Sequence, residues 1–440
     1  MNVIDAHKQQ IIDFFGFDER TVKALSVEAD RNRRLTMLMK HPYLFHLALS
    51  IITNLIYPLL GLRRKVRISK EEFIFVSCAD PVFRTKNIGL ITGNLSYCII
   101  HQPNFHIKQT INYHKYFLSQ SIKAFFPTVR PQDVINARRQ LKRFEKAAKV
   151  DKKIDGYAVM KSVLSLFLIN SNVTKGYLKD CMEFKGKWIL EHQIYFFVPV
   201  IYNLRSEGRE TTMLQHGLFF KPTTDFFPLN CDKVLCCSER EKRIYMREGV
   251  EENRVNVLGI PIQTITQTEM ANSVENNETV FNLLLLLTIV TKENAPLIKE
   301  IIAYIKGKYD KVLIRFRPRS REEDIQLLGD AVSDFTISDQ NKTIVEDLRR
   351  SKKVITFSAD ALVEVVRADR PFLYIWLKEY QGFIEEIQCA TMHNYKEQVD
   401  LLMNSEGITN KMQLMAKEMV GEQKVSEIQK RFVEYIRERD

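Results

Sequence analysis

Lys353–Phe357 is a short apolar run of strand type, and Ser358-Ala359-Asp360 follows it as a small polar turn. An amphipathic run then continues through Arg367, Asp369-Arg370-Pro371 breaks it, and Phe372–Trp376 is apolar again. The order is strand, turn, helix, turn, strand, which fits parallel pairing through a crossover helix. In such a unit the turn after the first strand lies at the helix N-terminus. Free backbone N–H groups there can hold a phosphate.

The same alternation recurs along the chain. Strands are expected at Glu72–Ala79, Ser96–His101, Lys187–Leu190, Thr211–Leu214, Lys233–Ser238 and Val255–Leu258. A polar, aperiodic stretch at Thr264–Thr279 reads as a linker, and strands resume at Val280–Val290, Lys311–Phe316 and Phe335–Ile337. Helices are expected over most of His114–Lys153, over Gly156–Asn170, over Gln193–Arg205 despite Pro199, at Ala295–Tyr309 and Thr343–Ser351, and over Glu379–Ala390 and Asn394–Arg439. Ser238 with Glu241 predicts a capping box. At 440 residues the chain exceeds one ordinary core. The pattern predicts an α/β protein with two doubly wound, Rossmann-like domains facing a cleft. Residues 1–66 form an N-terminal helical, membrane-associated extension, of which Met1–Pro42 has no clear core role; 67–265 form the first domain, for the acceptor, and 280–440 the second, for the nucleotide sugar.

Net charge is +11, which points to an anionic partner such as a sugar nucleotide, an anionic glycan or an anionic membrane surface. No zinc-knuckle spacing, RNP-like motif or dense basic tract argues for nucleic acid. The charges massed at Asn136–Lys153 read first as a solvated helix face and second as a hold for an anionic acceptor. Seven cysteines without metal-ligand spacing suggest buried thiols in a reducing compartment. Met1–Arg20 lacks the apolar core of a secretory signal. Tyr43–Leu62 approaches the length of a membrane span. It carries His46, Asn54 and Pro58 with basic residues on both sides, which suits a helix lying at the cytoplasmic face of the plasma membrane better than a spanning one. The expected location is therefore cytoplasmic, peripheral at that inner face.

The candidate site residues come from the strand ends. Arg317 and Arg319 are candidates for diphosphate contact, with Arg315 on the same side of its strand. Thr356 and Ser358 offer hydroxyls beside the helix N-terminus, where Ser358 also fits a helix cap. His216, in a turn with Gly217, is a candidate base, and Glu191 is the alternative. Asp80 and Arg84 follow the first strand. Asp334 and Asp339 are too far apart for a metal-binding Asp-x-Asp pair, so the expected enzyme needs no metal or other cofactor. His101, His106 and His114 receive no role.

The order of Gln215-His216-Gly217, Arg317-Pro318-Arg319, the Thr356–Glu364 run opening a helix, and Asp369-Arg370-Pro371 resembles bacterial surface-polysaccharide glycosyltransferases of the GT-B fold. The likeness spans roughly Glu183–Trp376. It is to polysialyltransferase-like, Kdo-transferase-like and teichoic-acid glycerophosphotransferase-like enzymes. It implies transfer of a sugar from a CMP-, CDP- or UDP-linked donor to a glycan or lipid-linked acceptor. It also implies that Glu364 accepts hydrogen bonds from the ribose hydroxyls and that Asp80 and Arg84 meet the acceptor. The family's His-Pro falls on Arg317-Pro318, so a permanent cation replaces a histidine there. Three rival readings stand beside this one: a glycerol- or ribitol-phosphate transferase, a sugar-nucleotide 2-epimerase, and a non-catalytic assembly scaffold.

Overall fold

Strands of a parallel sheet covered by helices on both faces are apolar along their whole length, and two sets of such strands build this protein. A computed structural model describes residues 3–31, 41–57, 68, 70–77, 88–101, 107–153, 155–194, 196–215, 227–259, 280–317, 320–339, 341–357, 359–368, 370–377, 390–391, 393–404, 418, 421 and 425–438. The first set comprises β1 (Phe73–Ser77), β2 (Tyr97–His101), β3 (Lys123–Phe125), β4 (Lys187–Leu190), β5 (Thr211–Leu214), β6 (Lys233–Cys236) and β7 (Val255–Val257). The second comprises β8 (Phe281–Leu286), β9 (Val312–Arg315), β10 (Thr336–Ile337), β11 (Ser351–Thr356) and β12 (Phe372–Tyr374). The sheet orders are β3-β2-β1-β4-β5-β6-β7 and β10-β9-β8-β11-β12. Among the described residues every pairing is parallel. The two doubly wound domains expected from the strand–helix alternation are present.

Alternate residues of the first sheet feed two cores, because successive side chains point to opposite faces. Ile74, Val76, Trp188 and Leu190 lie in one cluster, and Phe73, Phe75 and Ile189 in the other. The first cluster also contains Ile4, Ile11, Phe17, Val22 and Leu25. The N-terminal helices Lys8–Phe15 and Glu19–Arg31 are therefore part of the first domain's core, a correction to their expected lack of a core role. Their few apolar residues are spaced to make one buried stripe.

The second cluster takes Ile428, Phe432, Tyr435 and Ile436 from the C-terminal helix Val425–Arg437. That helix follows the second domain in the chain but packs on the first sheet. The Phe432 ring meets Phe73 edge-on at 5.4 Å, the Tyr435 hydroxyl lies 2.5 Å from Thr212 Oγ1, and Arg437 Nε reaches Glu72 Oε1 at 3.1 Å. The expected boundary 280–440 thus follows chain order, while the last helix ties the two domains together.

Three further differences have simple causes. β3 was not anticipated, being a short edge strand between two helices. The helix expected from Gln193 begins at Phe197, which puts Pro199 in the first turn, where its missing N–H has no helical partner to lose. The helix expected at Glu379–Ala390 and the linker Thr264–Thr279 lie outside the described residues, apart from Ala390. In the apolar N-terminal segment, Pro42–Ile51 is helical and runs into a π-helical turn, Ile52–Ile56; residues 58–62 lie outside the described residues. Among the described residues no helix is long and apolar enough to cross a membrane.

Gly186 opens β4 beside β1. A Cβ on it would sit 2.1 Å from the Glu72 carbonyl oxygen, a backbone atom with no freedom to retreat. Gly186→Ala is expected to cost about 2–3 kcal/mol in chemical denaturation; an unchanged midpoint would show that this edge of the β1–β4 pair adapts.

Candidate functional site

Ligands of doubly wound sheets bind at the carboxyl ends of the strands, where neighbouring crossovers leave in opposite directions and open a crevice. In the first sheet the chain builds outward through β1, β2 and β3, then returns to place β4 on the other side of β1. The switch point therefore lies between β1 and β4. In the second sheet the chain runs outward through β8, β9 and β10 and returns with β11 beside β8, so the switch point lies between β8 and β11.

Glu191 stands directly after β4, its backbone N–H donating to Val76 O at 3.0 Å. Its side chain is only 3% exposed, and its Oε2 accepts a hydrogen bond from Ser77 Oγ, at the end of β1, at 2.6 Å. The residues ending the two strands of the first switch point therefore touch. At the second, Thr356 ends β11 fully buried, and Phe357 N–H donates to Leu286 O at 3.0 Å. The helix Ala359–Arg367 opens just beyond.

The next strand ends form a buried polar cluster. Gln215 follows β5, and its Nε2 donates to Glu241 Oε2 at 2.9 Å, while Arg240 Nη1 lies 3.2 Å from Glu241 Oε1. Arg240 and Glu241 are both buried, so the pair depends on these added hydrogen bonds to offset desolvation. Ser238 caps the helix Glu239–Arg247 by accepting the Glu241 N–H at 3.3 Å. The return half of the expected capping box is not formed, because the Glu241 carboxylate turns inward to Gln215 and Arg240. Cys237, beside this cluster, belongs to the second domain's apolar core. The carboxyl ends of the first sheet thus border the second domain.

Arg317 follows β9 and is half-buried. Arg315 is committed elsewhere: its guanidinium binds Asp347 Oδ2 at 2.6 Å, Ser338 Oγ at 3.2 Å and Lys342 O at 2.9 Å. Its expected place beside Arg317 in phosphate contact is corrected, since the strand's alternation gave a side but not a partner. Glu364 is half-buried on its helix, with Oε2 withdrawn from solvent, and is not a solvent-facing helical glutamate. His216, Arg319, Ser358, Asp80 and Arg84 lie outside the described residues. Ser77, Arg240 and Glu241 were not anticipated at the site; only the pairing of β1 with β4 and of β5 with β6 brings them there. His101 and His114 pack against Phe126, each with ring centroids 5.8 Å apart. Cys98, Cys181, Cys231 and Cys236 are buried in the core, and burial pushes their thiols up, away from the thiolate form.

No protein-family model matches the sequence. No curated protein matches it in sequence either. Solved structures do match in fold. A UDP-N-acetylglucosamine 2-epimerase from Rickettsia bellii aligns over 83% of this chain and 96% of its own, with 11% identity and a TM-score of 0.54. A Methanocaldococcus jannaschii UDP-GlcNAc 2-epimerase in complex with UDP-GlcNAc and UDP aligns over 82% and 99%, with 15% identity and a TM-score of 0.51. S. aureus MnaA with UDP aligns over 83% and 95%, with 12% identity and a TM-score of 0.50. The fold is GT-B. Within GT-B proteins, the matches named by activity here are epimerases, which overturns the glycosyltransferase expected from motif order. That order reflects strand ends that GT-B enzymes of different chemistry share.

Proposed function

We propose that this protein is a sugar-nucleotide 2-epimerase that inverts the carbon next to the anomeric centre of a UDP-N-acetylhexosamine, with no acceptor. The observation that carries the reading is the coincidence of chemistry with topology. Glu191, paired with Ser77, sits at one switch point, and the strand end that leads into the Ala359–Arg367 helix sits at the other. Solved GT-B structures of similar extent include an epimerase holding UDP-GlcNAc and UDP, which supports the choice of substrate class.

Inversion at that carbon requires its C–H bond to break and re-form on the opposite face. No carbonyl acidifies the position, so proton removal from C2 is coupled to departure of the nucleotide diphosphate from the anomeric carbon, leaving a C1=C2 double bond; a proton returning to C2 on the opposite face and the diphosphate returning to C1 restore a UDP-sugar. Two demands follow: acid–base groups near the sugar and a cationic cradle for the leaving diphosphate. In this reading Glu191 and His216 serve the two faces, while Arg317, Arg319 and the start of the Ala359–Arg367 helix hold the diphosphate. Ser358 and Thr356 add hydroxyls there, and Glu364 receives the ribose hydroxyls. Cations and a helix dipole take the part a metal ion plays in other nucleotide-sugar enzymes.

Incubation of the protein with UDP-GlcNAc alone in D2O tests the proposal. Proton NMR should show a second UDP-N-acetylhexosamine accumulating and deuterium entering at C2. Absence of both, together with absence of UDP binding by calorimetry, would sink it. Arg317→Ala is expected to raise the Kd for UDP about tenfold or more without lowering the unfolding temperature; unchanged affinity would remove Arg317 from the cradle.

A further inference from the structure

A helix on a domain surface normally turns apolar residues inward and polar residues outward. The Pro42–Ile51 helix and its π-helical continuation break that rule on the outer side. His46, Leu49, Ser50, Thr53 and Tyr57 are buried, yet Leu44, Leu47, Ile51 and Leu55 are 66%, 38%, 59% and 61% exposed. Those four recur at helical spacing and make one outward stripe about three turns long. Scattered exposed leucines are ordinary, whereas a continuous stripe marks a contact surface. Its direction is fixed. Thr53 Oγ1 accepts the Val129 N–H at 3.0 Å, and Asn54 Nδ2 donates to Val129 O at 2.6 Å.

Beside the stripe is a cleft of about 750 Å³ between this helix and the helices Pro131–Ala147 and Tyr157–Leu178. Leu44 and Leu47 lie in its lining, together with the cations Arg138, Lys142, Lys152 and Lys161. Among the described residues Glu145 is the one carboxylate in the lining, and its Oε1 accepts a hydrogen bond from the Tyr157 hydroxyl at 2.6 Å. Arg138 and Lys161 lie 5.9 Å from the ring centroids of Tyr43 and Tyr157. Among the described residues none of the four cations is in an ion pair. The charges of Asn136–Lys153 therefore include part of a cationic wall beside exposed hydrocarbon.

We propose that this face docks on an anionic phospholipid surface. The stripe enters the boundary between headgroups and acyl chains, and the cleft receives lipid phosphate. An anionic bilayer presents both partners in the required order, hydrocarbon below and phosphate above, whereas an acidic protein surface supplies only the charge. The inference is independent of the catalytic reading, since it uses neither strand-end cluster.

Co-sedimentation of the full-length protein with vesicles tests it. The protein should bind an equimolar mixture of phosphatidylcholine and phosphatidylglycerol, and not phosphatidylcholine alone, and raised salt should release it. Lys142→Glu with Lys161→Glu should weaken binding at least about tenfold. Leu47→Ser with Ile51→Ser should weaken it as well, and neither pair should change the unfolding temperature, because all four side chains are exposed. Equal binding to both vesicle types, or variants that bind as the parent does, would overturn the proposal. So would a lipid-free dimer that the Leu47→Ser, Ile51→Ser variant abolishes, which would assign the stripe to a second copy of the chain.

Discussion

Glu191→Gln is expected to reduce the proposed epimerisation by about a hundred- to ten-thousand-fold while leaving UDP binding intact. Glutamine keeps the shape of the side chain and an oxygen to accept the Ser77 hydroxyl, now 2.6 Å from the carboxylate. What it removes is the capacity to take a proton. The loss should fall on kcat and on deuterium entry at C2 in parallel, since both require the same C–H bond to break. Ser77→Ala separates orientation from chemistry. It should lower kcat less than Glu191→Gln does, because the carboxylate remains and only one of its hydrogen bonds is lost. If Glu191→Gln retained more than a tenth of parental activity, Glu191 would be a structural carboxylate and His216 the group to pursue.

Asp347→Asn is expected to destabilise the protein by about 3 kcal/mol or more, because it leaves a largely buried guanidinium without its counter-charge. Asp347 is fully buried and joins Arg315 Nη1 and Ser338 Oγ through the same oxygen, each at 2.6 Å. The contacts link β9, the end of β10 and the helix Ile344–Arg349. Denaturant unfolding followed by circular dichroism reads the loss. UDP affinity measured well below the transition should be unchanged, since Arg315 points to this cluster and Arg317 is the cation assigned to the diphosphate. A variant of normal stability that binds UDP weakly would reverse those two assignments.

Arg315 and Glu241 show where reading the sequence stops. Strand alternation places Arg315 on the same side of its strand as Arg317, but Asp347 captures it from a helix that arrives after another strand has been laid down. Ser238 and Glu241 have the spacing of a capping box, and half of it forms. The other half loses to Gln215 and Arg240, which offer the Glu241 carboxylate a buried, charged alternative. In both cases a local pattern proposes a partner and a non-local neighbour takes it. The N-terminal helices illustrate the reverse failure. A few apolar residues in a polar run look insufficient for a core, yet Ile4, Ile11, Phe17, Val22 and Leu25 join the first domain's core, where Phe17 packs against Phe167 and Tyr202 of the helices that cover the sheet. The functional class failed for a different reason. Gln-His-Gly and Arg-Pro-Arg turns at strand ends report a GT-B scaffold, and the scaffold serves more than one reaction.

The sequence by itself determined the strand–helix alternation, the two parallel sheets and most strand positions, because burial on both faces and the breaks between runs are properties of contiguous residues. Tertiary structure alone decided which strands are neighbours, and hence that Glu191 meets Ser77 at a switch point. It also decided that the last helix returns to the first domain and that Leu44, Leu47, Ile51 and Leu55 face outward. Those outcomes depend on contacts between residues far apart in the chain, whose free energy no local period encodes.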